Sequence, residues 1–171
     1  MGGNLLEERK ALIEIHLTGV KITPAILTNS SDTFIQLVQK YNLVFESVDI
    51  DVIDNTIIQG SVTLTPDQIL DLLSEIRVKN HESNLIKLNF HLMVLDYSKY
   101  ITPDILKISN EIVFQFESMD LFQENLKLHF EKYFEINPQI KFGLSISPNS
   151  CKEFEQLLKN HPEKLSVFNT L

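Results

Sequence analysis

The residues best suited to chemistry are two histidines in similar surroundings. His16 lies in the segment Ile15-His16-Leu17 and His91 in the segment Phe90-His91-Leu92, so an apolar residue flanks each imidazole on both sides. Glu14 lies two residues before His16, on the same side of an extended strand. Two imidazoles beside a carboxylate can ligate a metal ion or share a proton, because imidazole titrates near neutral pH.

Further polar residues are predicted on the same face of a β-sheet. Apolar and polar residues alternate along each predicted strand, and side chains two residues apart share a face. This places Asp49 and Asp51 on that face from one strand and Asn89 beside His91 from another, and Glu117 follows a third strand. The predicted ligand or partner surface therefore consists of Glu14, His16, Asp49, Asp51, Asn89, His91 and Glu117. A structural alternative is that an antiparallel sheet leaves one face polar and wet without any ligand.

The common catalytic and cofactor motifs are absent from the sequence. The chain has only five glycines, at positions 2, 3, 19, 60 and 143, so it contains no glycine-rich loop that would hold a phosphate. Its single cysteine, Cys151, excludes a multi-thiolate zinc site and an internal disulfide. We predict that Cys151 is a small buried residue at the start of a helix rather than a nucleophile. We expect no cofactor, no metal and no assigned catalytic residue.

Composition and charge restrict the partners. With 171 residues, of which 43% are hydrophobic, the chain is long enough for one well-buried core. A net charge of -8 and only two arginines argue against nucleic acid and favour a basic protein partner. The charged residues Glu7 to Lys10 interrupt the stretch where a secretory signal needs apolar residues, and no segment approaches the length of a membrane span. These features predict a cytoplasmic protein with no membrane partner.

Helix starts are indicated by a hydroxyl residue followed by proline, an arrangement typical of an N-cap and first helical position. The four examples are Thr23-Pro24, Thr65-Pro66, Thr102-Pro103 and Ser147-Pro148. At Thr65, Gln68 completes a capping box. A helical stretch is also predicted near Asp32 to Tyr41, and strands are predicted over Ile13 to Leu17 and Leu88 to Val94.

The order of these segments predicts a duplicated unit. The segments around His16 and His91 correspond, as do Leu43-Val44-Phe45 with Ile112-Val113-Phe114, and Gly60 to Asp67 with Gly143 to Asn149. We therefore predict one domain over residues 1–171, made of two pseudo-repeats, about 11–79 and 85–160, with a short C-terminal tail.

The fold predicted from this order is α+β. Asp54-Asn55 suits a hairpin turn between two strands, which favours antiparallel pairing. The prediction is a two-layer sandwich of tandem βαββα, ferredoxin-like units that share a mainly antiparallel sheet with helices on one face.

Three functions fit these features. The first is a non-catalytic protein-binding module of a small bacterial-type protein, comparable to an immunity or inhibitor protein, that uses an acidic polar surface. The second is a sensor that binds a small molecule at the seam between the repeats. The third is an enzyme that uses His16 and His91 for acid–base chemistry. The sequence favours the binding module and leaves the oligomeric state open.

Overall fold

The computed structural model describes residues 22–80, 86–121 and 126–168. Within these ranges, strands alternate with α-helices along the chain. In order, the elements are β1 (Ala25–Ile26), α1 (Ser31–Asn42), β2 (Ser47–Ile53), α2 (Pro66–Asn80), β3 (Lys87–Met93), α3 (Pro103–Ile108), β4 (Ser109–Gln115), α4 (Leu126–Ile136), β5 (Lys141–Ser145) and α5 (Cys151–Asn160). The strand predicted over Ile13 to Leu17 lies outside the described residues.

The strands form one five-stranded sheet in the order β1-β2-β3-β4-β5, and every neighbouring pair is parallel. The predicted antiparallel, ferredoxin-like α+β sheet is therefore wrong, and the fold is α/β. The predicted tandem repeat is wrong as well, because each half would need antiparallel strand pairs. The predicted hairpin at Asp54-Asn55 is reduced to one antiparallel bridge between Asp54 and Val62, in the loop that follows β2.

A helix connects each strand to the next, since parallel neighbours need a crossover connection. The strand order runs in one direction across the sheet, and right-handed crossovers then place successive helices on the same face. The buried core agrees with this. The helix residues Phe34, Ile69 and Phe130 belong to one buried cluster with the strand residues Ile50 and Phe90. Along each strand, only every second residue belongs to this cluster, so the helices pack on one face of the sheet.

Several local predictions are confirmed at helix starts. The Thr65 backbone N–H donates to Gln68 Oε1 at 2.9 Å and the Gln68 N–H donates to Thr65 Oγ1 at 3.4 Å, which is the predicted capping box. Thr102 caps α3 by accepting from the Ile105 N–H. Helix α1 covers the stretch predicted near Asp32 to Tyr41.

Other local predictions are wrong or only partly correct. Thr23-Pro24 leads into strand β1 instead of a helix. Ser147-Pro148 is correct in part: Ser147 is the N-cap and Pro148 begins a short 3-10 helix that leads into α5, but the Ser147 side chain makes no capping hydrogen bond there. Cys151, predicted to be buried, is exposed at the start of α5. In the described part of the chain, no helix is both long enough and apolar enough to cross a membrane.

Candidate functional site

The candidate site lies on the face of the sheet opposite the helical core. Strand register arranges its side chains in rows across the sheet. Asp51 pairs with His91, and His91 pairs with Val113, so these three residues lie at one level of β2, β3 and β4. A second row lies two residues earlier along the strands and has one residue from each of the five strands: Ala25, Asp49, Asn89, Glu111 and Lys141. In closed parallel α/β barrels, inward-facing side chains stack in similar layers.

This face of the sheet carries a cavity that extends over all five strands. A flat five-stranded sheet would hold β1 and β5 about 19 Å apart, because neighbouring strands are separated by about 4.8 Å. Yet one cavity of about 320 Å³ is lined by residues from all five strands: Ala25, Asp49, Asp51, Asn89, His91, Val113 and Ser145. The cavity is therefore a recess in this face of the sheet that runs from β1 to β5. We call this cavity the concave-face pocket.

His91 and Asp51 form the central pair of the pocket. His91 Nδ1 lies 3.4 Å from Asp51 Oδ1, which is long for a hydrogen bond and within ion-pair range. The other ring nitrogen, His91 Nε2, is buried and has no hydrogen-bond partner among the described residues. Buried polar atoms are almost always paired, so an unpaired one calls for a functional explanation such as a ligand or ion. The pair therefore offers a ligand an imidazole ring whose Nε2 atom makes no hydrogen bond to the described residues.

Asp49 belongs to a hydrogen-bonded chain that crosses three strands. Asn89 Nδ2 donates to Asp49 Oδ1 at 2.8 Å, and Asn110 Nδ2 donates to Asn89 Oδ1 at 2.9 Å. Asn110 reaches Asn89 because the register between β3 and β4 shifts at this point, where Leu88 pairs with Ser109 and Asn89 with Glu111. The chain fixes the amide of Asn89, so its N–H groups point toward the Asp49 carboxylate.

The pKa of Asp49 is raised above its ordinary value. Burial is the largest cause, and the nearby charges of Glu111 and Asp51 raise the pKa further, while the Asn89 hydrogen bond and His91 lower it. The pocket therefore holds a carboxylate whose negative charge is disfavoured. Such a charge is better tolerated when a hydrogen-bond donor or a cation lies against it.

Thr63 fixes the end of β2 just below the pocket. Its Oγ1 accepts from the Ile53 N–H at 2.9 Å and donates to the Asp51 carbonyl at 2.8 Å, and the residue is buried. This holds the Asp51 backbone in place without using the Asp51 side chain. The loop that carries Thr63 thereby supports the site although it contributes no lining residue.

The structure brings together four of the seven predicted surface residues: Asp49, Asp51, Asn89 and His91 line the pocket. Glu14 and His16 lie outside the described residues, so the predicted proximity of His16 to His91 stays a prediction. Glu117 lies elsewhere, in the short 3-10 helix after β4, where Ser147 donates to it from its backbone N–H at 3.1 Å and from its hydroxyl.

Glu117 has a structural role in this position. Burial by itself would raise its pKa, but hydrogen bonds from Ser147, Ser150, its own backbone and Gln115 outweigh burial and lower the pKa to about 2. It ties the segment after β4 to the segment after β5. It also lines a separate cavity of about 660 Å³ together with Asp120 and Glu153.

Some pocket residues were missed by the sequence reasoning. Ala25 and Val113 are apolar and carry no chemical signal. Asn110 does not line the pocket, and it reaches Asn89 only because of the register shift. Ser145 was not missed: strand alternation predicts it on the polar face, and it lines the pocket.

Within the described ranges, no group of three or more His, Cys, Asp or Glu side chains is arranged to hold a metal ion. The sequence matches no model of a known protein family, and no curated protein is significantly similar to it. Fold and site together define an α/β protein whose parallel sheet carries a small polar pocket on the face opposite the helical core.

Proposed function

We propose that the protein binds a small polar molecule in the concave-face pocket. The observation that carries this proposal is the buried, unpartnered His91 Nε2 in a cavity lined by all five strands. A volume of about 320 Å³ is at the lower end of the range for small-molecule sites. Most of the lining side chains are polar, which favours a polar ligand. A ligand that pairs with Nε2 removes the cost of leaving that atom buried and unpaired.

The position of the pocket supports the same proposal. All-parallel sheets normally have both faces covered, so a polar, partly buried second face is unusual. Asp51 and His91 have side chains only 18% and 25% exposed, although both are polar and lie on the face away from the core. Concavity brings these groups together around a common space, which is what a ligand site requires.

The proposal is tested by a thermal-shift screen of the full chain against a library of small polar metabolites. Val113→Phe fills the pocket, whereas Val62→Phe makes the same change at a position that is 56% exposed and outside it. We expect at least one compound to raise the melting temperature of the wild type and of Val62→Phe but not of Val113→Phe. Compounds that stabilise all three proteins equally, or none of them, would contradict the proposal.

A second candidate function is an enzyme that moves a proton through His91, and the contact between His91 and Asp51 favours it. A carboxylate beside Nδ1 orients the ring and stabilises the imidazolium that forms when Nε2 accepts a proton. The test is the exchange of a carbon-bound hydrogen for solvent deuterium in any compound found to bind. Exchange should require His91 and survive His129→Gln in α4; exchange that persists in His91→Gln rules this function out.

The protein-binding function and a basic protein partner stay predictions, as does the cytoplasm as the place of action. A protein partner that competes with a small molecule for the wild type, but not for Val113→Phe, would link the two functions. Of the candidate functions, we place small-molecule binding first because the described residues form a defined cavity for a ligand.

A further inference from the structure

We propose that the ligand of the concave-face pocket carries a protonated amine, which donates an N–H to His91 Nε2 and faces the carboxylates of Asp49 and Asp51. This inference rests on the proposed small-molecule function and adds the chemical class of the ligand. Three properties of the pocket support it: its excess of hydrogen-bond acceptors, its charge and its size.

The pocket presents mainly hydrogen-bond acceptors. Because Nδ1 faces the Asp51 carboxylate, we expect the neutral imidazole to carry its proton on Nδ1, which makes Nε2 a hydrogen-bond acceptor. Among the described residues, the contacts of Asp49 and Asp51 use only the Oδ1 atom of each, so both Oδ2 atoms remain available. Asn89 is already committed through its amide oxygen and one N–H. A complementary ligand must therefore supply donors.

The charge of the pocket favours a cationic donor over a neutral one. Asp49 and Asp51 line it, Glu111 acts on Asp49 from the β4 strand, and none of the described lining residues is a lysine or an arginine. Lys141 is at the far end of the row that contains Asp49, on edge strand β5, and does not line the cavity. Burial is the main reason that the pKa of Asp49 is raised, and the negative charges of Glu111 and Asp51 add to it. An ammonium group would supply a nearby cation, and an anion would add to the repulsion.

The size of the pocket limits the ligand. A cavity of about 320 Å³ accommodates a small amine, and its described lining includes two apolar side chains, Ala25 and Val113. A bare metal ion fits the described residues less well, because they contain no cluster of three or more metal-ligating side chains. An uncharged polyol satisfies the acceptors but leaves the charges of Asp49 and Asp51 without compensation.

Three compounds of nearly equal size separate these possibilities: ethanolamine is a cation, ethylene glycol is neutral and glycolate is an anion. Each is titrated into the full chain at neutral pH while the ring ¹⁵N signals of His91 are followed by NMR. We expect ethanolamine to bind at least about tenfold more tightly than the other two and to shift the His91 signals. Equal or tighter binding of ethylene glycol or glycolate overturns the inference, as does the absence of ethanolamine binding.

Substitutions test whether the carboxylates cause the preference. Asp51→Asn and Asp49→Asn keep the shape of the pocket and remove one charge each, and each should weaken ethanolamine binding about tenfold. The control is Asp71→Asn, which removes the same charge from the exposed surface of α2 and should leave ethanolamine binding unchanged. Ethanolamine binding that responds equally to all three substitutions reflects net charge alone and overturns the inference.

The metabolite screen separates failure of this inference from failure of the proposed function. If the screen finds a neutral ligand whose binding is blocked by Val113→Phe while ethanolamine does not bind, the proposed function stands and only the amine inference is lost.

Discussion

Asp51 and His91 lie directly opposite each other on neighbouring parallel strands, with Asp51 Oδ1 3.4 Å from His91 Nδ1. The contact joins two residues that are 40 positions apart in the sequence, and the strand register alone brings them together. It leaves Nε2 buried and unpaired among the described residues, so the pair is both the most specific and the most testable feature of the site.

The tautomer of His91 should depend on Asp51. A carboxylate next to Nδ1 stabilises a proton there, so the neutral ring is expected as the Nδ1–H form. In Asp51→Asn the charge is lost, and the Nε2–H form should increase. Long-range ¹H–¹⁵N NMR of the imidazoles measures this directly, with His129 in α4 as the internal control. An unchanged His91 tautomer would show that Asp51 does not orient the ring.

Asp49→Asn should stabilise the protein at neutral pH by about 0.5 to 1 kcal/mol, a figure reduced for partial exposure. The pKa of Asp49 is raised in the folded state, so its ionisation opposes folding once the pH rises above the ordinary value of 3.8. Asparagine keeps an oxygen that accepts from Asn89 and carries no charge. Urea unfolding of both proteins from pH 3 to 7 should show the gain growing as the pH rises. A variant that is less stable than the wild type at pH 7 would mean that a neighbouring cation or donor compensates the charge of Asp49.

Thr63→Val should lower the free energy of unfolding by about 1 to 3 kcal/mol. Valine has nearly the same shape, but it leaves the buried Ile53 N–H without the acceptor that lies 2.9 Å away and removes the donor to the Asp51 carbonyl. Thr33→Val on the exposed surface of α1 is the matched control. If both variants unfold at the same denaturant concentration, Thr63 does not support the end of β2.

Glu117→Gln should lower the free energy of unfolding by roughly 1 kcal/mol at neutral pH, because it weakens charge-assisted hydrogen bonds at a partly exposed site. The pKa of Glu117 is about 2 in the folded protein, compared with an ordinary value of 4.5. Its contribution is therefore present in full above pH 4.5 and is lost as the pH falls toward 2.

The difference between wild type and Glu117→Gln should shrink over that acidic range, which pH-dependent urea unfolding measures. Glu153→Gln lines the same 660 Å³ cavity and has an exposed side chain, so it serves as the control. A difference that stays constant from pH 5 to pH 3 would exclude a role for the Glu117 charge.

The sequence by itself determined most local structure and part of the site. Alternation along β2 and β3 placed Asp49, Asp51, Asn89 and His91 on one face, because side chains two residues apart on a strand point the same way whatever the strand pairs with. The capping box at Thr65 and Gln68 was also predictable, since its hydrogen bonds are confined to four consecutive residues.

Only the tertiary structure decided how the strands pair. Alternation with one polar face is typical of antiparallel sheets, and parallel sheets usually carry apolar runs on both faces, so the pattern favoured the wrong direction. In this protein a parallel sheet places polar side chains of β2, β3 and β5 around one pocket, and these strands come from distant segments of the chain. The pairing of Asp51 with His91, the shift that brings Asn110 to Asn89, and the separation of Glu117 from the pocket all depend on interstrand register, which no short stretch of sequence encodes.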